Sequence, residues 1–218
     1  MKKTSKALLL GLCALLLVGA SVLGTMAYLT AKTEKVVNTF TVGNVGITLD
    51  EGKINPDTGK FINKDKERTA VGQEYHLLPG SDYDKDPTVK VTAGSEPCYL
   101  FVKVENGITA IEDTEHTVAS QMEAKNWRLV TGTTDVYVLY KADGSGRYIA
   151  NAEDKKVVFD KFYIAGTVDG DTLAKYSEKN ADGTPKYTIT VSAYAIQASG
   201  LDGKSDADLW KLAKPATN

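Results

Sequence analysis

The chain has 218 residues, 25% of them charged, and a formal net charge of −2, which suits one globular domain. With no basic run, it lacks the electrostatic footprint of a protein that binds nucleic acid or an anionic membrane surface. Its two cysteines are Cys13, inside an N-terminal apolar run, and Cys98, so an exported form without that run has no internal disulfide.

The N-terminus reads as a secretory signal peptide over residues 1–27. Lys2, Lys3 and Lys6 form a basic head, residues 7–26 (ALLLGLCALLLVGASVLGTM) carry no charge, and small residues surround Ala27. A cut between Ala27 and Tyr28 places Thr25 at −3; Ala20 is the weaker alternative site. About 20 apolar residues are long enough to span a bilayer, so an uncut anchor is the competing reading. Cleavage is preferred because no basic stop-transfer cluster follows: Lys32 and Lys35 are interleaved with Glu34. Lipidation at Cys13 is set aside because Leu12 fills the position that needs a small residue. Removing three of the 26 basic residues leaves 23 against 28 acidic ones, a net charge of −5. The cleaved protein is then expected to be secreted, with no stable membrane anchor, and no LPxTG-type sorting motif appears.

From here the chain reads as mainly β. Residues 28–42 form an extended, polar N-terminal segment, and 43–218 a single domain. Residues 40–49 (FTVGNVGITL) alternate loosely, with Gly43 and Gly46 suggesting a bulge or bend. Residues 53–66 form an exposed hairpin or loop around Pro56, and 88–92 (TVKVT) alternate strictly. The clearest strand is 98–105 (CYLFVKVE). Cys98, Leu100, Val102 and Val104 fall on one face, where a thiol acts as a small hydrophobe, and Tyr99, Phe101, Lys103 and Glu105 on the other.

Residues 114–127 form a helical candidate with a thin apolar stripe through Val118 and Met122, suited to the domain surface. Residues 136–140 and 147–150 are expected to flank a hairpin loop, Asp143-Gly144-Ser145-Gly146, and 156–164 (KVVFDKFYI) reads as one strand region. A short helix over 168–177 has Asp169 or Asp171 as N-cap. In 187–198 (YTITVSAYAIQA), Ile189, Val191, Ala193 and Ala195 share a face; then Ser205 caps a terminal helix whose Leu209 and Trp210 can dock on the body. These elements predict a jelly-roll-like antiparallel β-sandwich with a few short inserted helices, after an N-terminal signal helix.

Chemistry-bearing motifs are sparse. His76 and His116 belong to no H-E-x-x-H helix, and no Cys/His cluster has zinc-ligand spacing. There is no G-x-S-x-G elbow, and Cys98 has no histidine close in sequence. Asp169-Gly170-Asp171 lacks the rest of a calcium loop. No catalytic, metal or cofactor residue is assigned, and the expectation is that the protein is not an enzyme and carries no cofactor.

Four segments carry a resemblance. The junction over residues 24–51 (GTMAYLTAKTEKVVNTFTVGNVGITLDE) joins a small-x-Ala site, an aromatic, a polar spacer and N-T-F-T-V-G-N-V. Residues 77–107 (LLPGSDYDKDPTVKVTAGSEPCYLFVKVENG), 157–169 (VVFDKFYIAGTVD) and 187–201 (YTITVSAYAIQASGL) support it. Together they resemble the TasA and camelysin-like proteins of Gram-positive biofilm matrices, which are processed by a SipW-type signal peptidase. The resemblance implies a secreted jelly-roll protein, at the cell surface or in the extracellular matrix. It implies head-to-tail self-assembly into fibres by donor-strand exchange, and other matrix proteins as further partners. Carried onto this chain, the donor lies in residues 28–42, with Leu29, Val36, Phe40 and Val42 as its apolar side chains. Camelysin-like members are also described as metalloproteases, an alternative for which this chain carries no zinc motif. A third reading is a monomeric secreted adhesin or glycan-binding module using Tyr137, Tyr140 and Tyr148.

Overall fold

Two four-stranded antiparallel sheets carry the fold of the computed structural model, which describes residues 44–213. All of these belong to one unit, Val37–Asn218. The first sheet contains β1 (Ile47–Gly52), β4 (Arg68–Thr69), β6 (Thr88–Val91) and β10 (Lys155–Val157), in the order β10-β6-β1-β4. The second contains β7 (Cys98–Asn106), β8 (Trp127–Leu129), β9 (Val136–Leu139) and β12 (Ile189–Gln197), in the order β12-β7-β9-β8. Two ribbons are added: β2 (Ile54–Asn55) with β3 (Lys60–Phe61), and β5 (Asp82–Asp84) with β11 (Lys161–Tyr163). The described residues also contain three short helices: α1 (Val118–Ala124), α2 (Gly170–Tyr176) and α3 (Asp206–Ala213). Among the described residues no helix is long and apolar enough to cross a membrane.

The main core lies between the two sheets, as in a β-sandwich. Ile47, Val89 and Val91 of the first sheet meet Cys98, Leu100, Val102, Ala193 and Ala195 of the second. Strict alternation in β7 and β12 produces this arrangement, because side chains at i and i+2 share a face. Nine residues of β7 pair in register with β12, from Ile189↔Asn106 to Gln197↔Cys98. Cys98 is fully buried, and that burial pushes its thiol up to about 12, so it packs as an apolar residue.

The other face of the second sheet is also covered. Tyr99, Phe101, Val138 and Ile196 form a second core beneath α3, into which Leu209 is buried, with Trp210 lying 5.9 Å from the Phe101 ring. Tyr99 and Phe101 are therefore buried, and only Lys103 and Glu105 behave as the outward face of CYLFVKVE. Ser205 accepts from the Asp208 N–H, the cap its position suggests.

Three element boundaries differ from expectation. The helix over 114–127 is confined to α1, capped by Thr117, which accepts from the Ser120 N–H. Asn126 then takes a positive φ of 67°, which ends the helix and redirects Trp127 into β8. The run KVVFDKFYI is two strands in different sheets: Val158 and Phe159, adjacent and both fully buried, mark the crossing. Residues 147–150 form no strand of their own; isolated bridges Tyr140↔Arg147 and Cys98↔Ala150 hold them. The hairpin around Pro56 is β2–β3. Its Gly59 has φ +64° and lies against the Tyr83 ring, where a Cβ would fall at 2.3 Å.

Candidate functional site

A groove of about 730 Å³ runs along the flank where β1 and β12 meet. Its floor is apolar, made by Leu49, Ile189, Val191, Ala193, Ile108 and Phe162. One wall is the irregular segment 69–77; the other is the end of α2 and the turn that follows, with Tyr176 and Tyr187 in ring contact at 4.5 Å.

Both strand edges that border the groove are open. In an antiparallel pair, hydrogen-bonded and non-bonded positions alternate. The Gly107 N–H donates to the Thr188 carbonyl and the Ala198 N–H to the Pro97 carbonyl, both at 2.8 Å. The even positions of β12 therefore bond β7. The N–H and C=O groups of Ile189, Val191, Ala193, Ala195 and Gln197 point away from β7, and no described residue pairs with them. β1 obeys the same rule. The Thr92 N–H donates to the Gly46 carbonyl at 2.9 Å, so Ile47 and Leu49 direct their backbone groups away from β6. β4 takes that edge only from Glu51 onward, leaving it unpaired from Val45 to Leu49 among the described residues.

The two edges run in opposite directions. β1 is antiparallel to β6, and the turn after β6 returns the chain to the start of β1, where the Glu96 N–H donates to the Asn44 carbonyl at 3.0 Å. β7 starts there, and β12 runs antiparallel to it. A strand seated between β1 and β12 must then be parallel to one and antiparallel to the other.

The irregular wall is held by side chains. Gln73 accepts from the Ile54 N–H at 2.8 Å and donates to the Gly52 carbonyl at 2.9 Å and to Glu51 at 3.0 Å. Tyr75 donates to the Asp84 carbonyl and sets its ring edge-on to Phe162 at 4.9 Å. Burial, with the charges of Glu51, Asp84 and Asp86 behind it, raises the Tyr75 phenol well above its ordinary range, so it stays a donor. Tyr83 accepts from the Leu78 N–H at 2.6 Å and donates to the His76 carbonyl at 2.8 Å.

One end of the groove is ionic. Lys85 Nζ lies 2.6 Å from Glu51 Oε2, and both side chains are nearly buried. Behind them Asp86 accepts from the Gly52 N–H at 2.6 Å and from Arg68 Nη1 at 2.9 Å, while Arg68 Nε donates to Asp50 at 2.6 Å. This cluster is internally satisfied, so it shapes the end of the groove without presenting a free charge to it.

The residues singled out from the sequence fall elsewhere. Ala27, Tyr28, Leu29, Val36, Phe40 and Val42 lie outside the described residues. His76 and His116 are both exposed; His116 is engaged with Asp113 at 2.9 Å and rests on Tyr163. No group of three or more His, Cys, Asp or Glu side chains is placed to hold a metal ion among the described residues. Asp169 is used as the α2 cap, accepting from the Thr172 N–H at 2.7 Å. The three tyrosines do not form one exposed platform. Tyr137 packs on the main core, Tyr140 donates to Asp206 under Arg128, and Tyr148 donates to Asp154 under Lys156. Sequence reasoning missed the groove because its walls come from 69–77 and 176–188, stretches with no periodic signal. No family description, characterised protein or solved structure matches the chain.

Proposed function

We propose that this is a secreted structural protein of jelly-roll type that polymerises into extracellular fibres. Residues 28–42 of one copy fill the groove of the next after a SipW-type signal peptidase cuts between Ala27 and Tyr28. The observation that carries this reading is the pair of unpaired strand edges, β1 and β12, facing one apolar groove. An extended segment gains main-chain hydrogen bonds along such an edge, and alternate side chains fill the floor. The segment has the right pattern: Val36, Phe40 and Val42 share one face of a strand. Its 15 residues reach roughly 50 Å when extended, enough to leave one subunit and line another. Because donor and acceptor are different surfaces, the contact is head-to-tail and does not close on itself, which generates filaments.

The test compares mature protein starting at Tyr28 with a form lacking residues 28–39, by sedimentation and electron microscopy. The intact chain is expected to form fibres and the shortened one to remain a folded monomer. Equal polymerisation of both would sink the reading.

A further inference from the structure

The ionic end of the groove brings together an amine, a carboxylate and a carboxamide. Lys85 Nζ donates to Glu51 Oε2 at 2.6 Å, and Gln73 Nε2 donates to Glu51 Oε1 at 3.0 Å. Lysine and glutamine thus share the two oxygens of one carboxylate. We propose that these three residues make an intramolecular isopeptide bond, from Lys85 Nζ to Gln73 Cδ, with Glu51 relaying protons and ammonia leaving. The bond forms within each folded subunit and does not depend on the fibre reading.

The first feature behind it is the carboxamide. Gln73 Oε1 accepts from the Ile54 N–H at 2.8 Å, and Nε2 donates to the Gly52 carbonyl at 2.9 Å as well as to Glu51. The side-chain amide is therefore fixed by the backbone on both sides of Lys53. A backbone N–H aimed at the carbonyl oxygen stands where negative charge develops when a nucleophile adds to the carbon.

The second feature is the amine. Lys85 is 7% exposed and Glu51 8%. An ammonium has three donors, yet among the described residues Lys85 Nζ donates only to Glu51. Two N–H groups of a nearly buried cation are thus left without a protein partner, a costly arrangement. The amide product has one N–H and no charge. The neighbouring carboxylates do not compete for Lys85, because Asp50 and Asp86 are taken by Arg68.

The chemistry balances within the site. Lys85 Nζ passes a proton to Glu51 along their hydrogen bond, leaving a neutral amine and a carboxylic acid. The amine lone pair then attacks Gln73 Cδ; the Nζ–Cδ bond forms and the carbonyl pair moves onto Oε1, facing the Ile54 N–H. The flexible four-carbon lysine stem permits the movement from Oε2 to Cδ. Glu51 gives its proton to Nε2 and takes one from Nζ. The carbonyl reforms, the Cδ–Nε2 bond breaks and ammonia departs. Glu51 ends protonated, so no uncompensated charge stays behind, and no oxidant or cofactor is needed. Holding both reactants on one carboxylate supplies the proximity that a free amine and amide lack.

The product is a covalent loop from residue 73 to residue 85. It ties the irregular groove wall, which has no strand of its own, to the chain just after β5.

The test is mass spectrometry of the purified, folded chain. An intact mass lower than the sequence mass by one ammonia is expected. No lysine or arginine lies between Arg68 and Lys85, so trypsin acting on an unlinked chain can release residues 69–85. The linked chain instead gives residues 69–90 as one peptide, light by one ammonia, with no single-break fragments from inside the 73–85 ring. Glu51→Gln and Lys85→Arg should carry their full mass, while Lys53→Arg, at an exposed position, keeps the deficit. Full mass in the unaltered chain after prolonged warming overturns the proposal. So does loss of water rather than ammonia, which would put the bond on Glu51 itself, or an undiminished deficit in Glu51→Gln. Should a variant fail to fold, the unaltered peptide decides alone, since it either contains the ring or does not.

Discussion

The flank formed by β8 and β10 and the flank formed by β1 and β12 face the same difficulty, the unpaired edge of a sheet, and treat it in opposite ways. On the first flank, side chains of the chain itself close the seam. Trp127, fully buried, donates its indole N–H to the Val157 carbonyl at 3.0 Å. Gln121 of α1, half-buried, accepts from the N–H groups of Asp160 and Lys161 and donates to the Lys161 carbonyl at 2.9 Å. Lys125 adds an ion pair with Asp160 at 2.7 Å. On the second flank, the groups of Ile189, Val191, Ala193, Ile47 and Leu49 meet no described partner and border an apolar groove. One tryptophan and one glutamine suffice to seal an edge in this fold. On the proposed fibre reading the open flank is a surface for an incoming strand; an uncovered edge is otherwise a hazard for uncontrolled pairing.

The comparison breaks first at Trp127. Trp127→Ala removes the largest fully buried side chain and its hydrogen bond together, and should cost about 3–5 kcal/mol of stability in denaturant unfolding. The surviving folded fraction should still assemble, because the groove lies on the other flank. A loss under about 1 kcal/mol would show that the closed flank is not closed by Trp127.

Val191→Asp probes the open flank. Val191 is half-buried on the groove floor, so an aspartate there keeps contact with water and should cost the monomer only about 1 kcal/mol. Fibre yield, measured by sedimentation, should nevertheless fall to background, since a charge on the floor faces the incoming apolar side chains. Unfolding of the monomer, or normal fibres, would each remove the contrast between a structural and an assembly flank.

Much of the frame was legible in the sequence because it rests on local signals. Alternation placed Cys98, Leu100, Val102 and Val104 inward on β7 and Ile189, Val191, Ala193 and Ala195 inward on β12. Capping chemistry placed Ser205 at one helix start and left Asp169 or Asp171 for another, where the structure uses Asp169. What escaped depends on tertiary cover. Tyr99 and Phe101 read as an outer face because nothing local announces that α3 will lie over them. Trp127 reads as the end of a helix unless Asn126 is taken as the residue that leaves it, which asparagine does with little strain. The groove was the least legible, since an open edge is a relation between β1 and β12, 140 residues apart in order but neighbours in space. The candidate donor in residues 28–42 was implied by resemblance alone, and nothing local in the sequence pointed to a groove.

The smallest expected effect concerns the ribbon that supports the groove wall. Asp82 of β5 accepts from Lys161 of β11 at 2.6 Å and lies 2.8 Å from Lys60, and these bonds lower its carboxyl to about 2, Lys161 contributing most. A carboxyl depressed in the folded state stabilises fully above its unfolded value, near 4, and loses that contribution as the pH falls through its folded value. Asp82 is about one-third exposed, so solvent screening limits the gain to below about 1 kcal/mol. The melting temperature of Asp82→Asn should sit slightly below that of the unaltered chain at about pH 6 and converge with it near pH 2. Because β5–β11 supports Tyr83 and Phe162 at 4.9 Å beneath Tyr75, the same substitution should loosen segment 69–77 and speed amide exchange there while β8 and β10 keep their rates. A gap that persists near pH 2, or equal acceleration on both flanks, would mean that this ion pair does not serve the groove in particular.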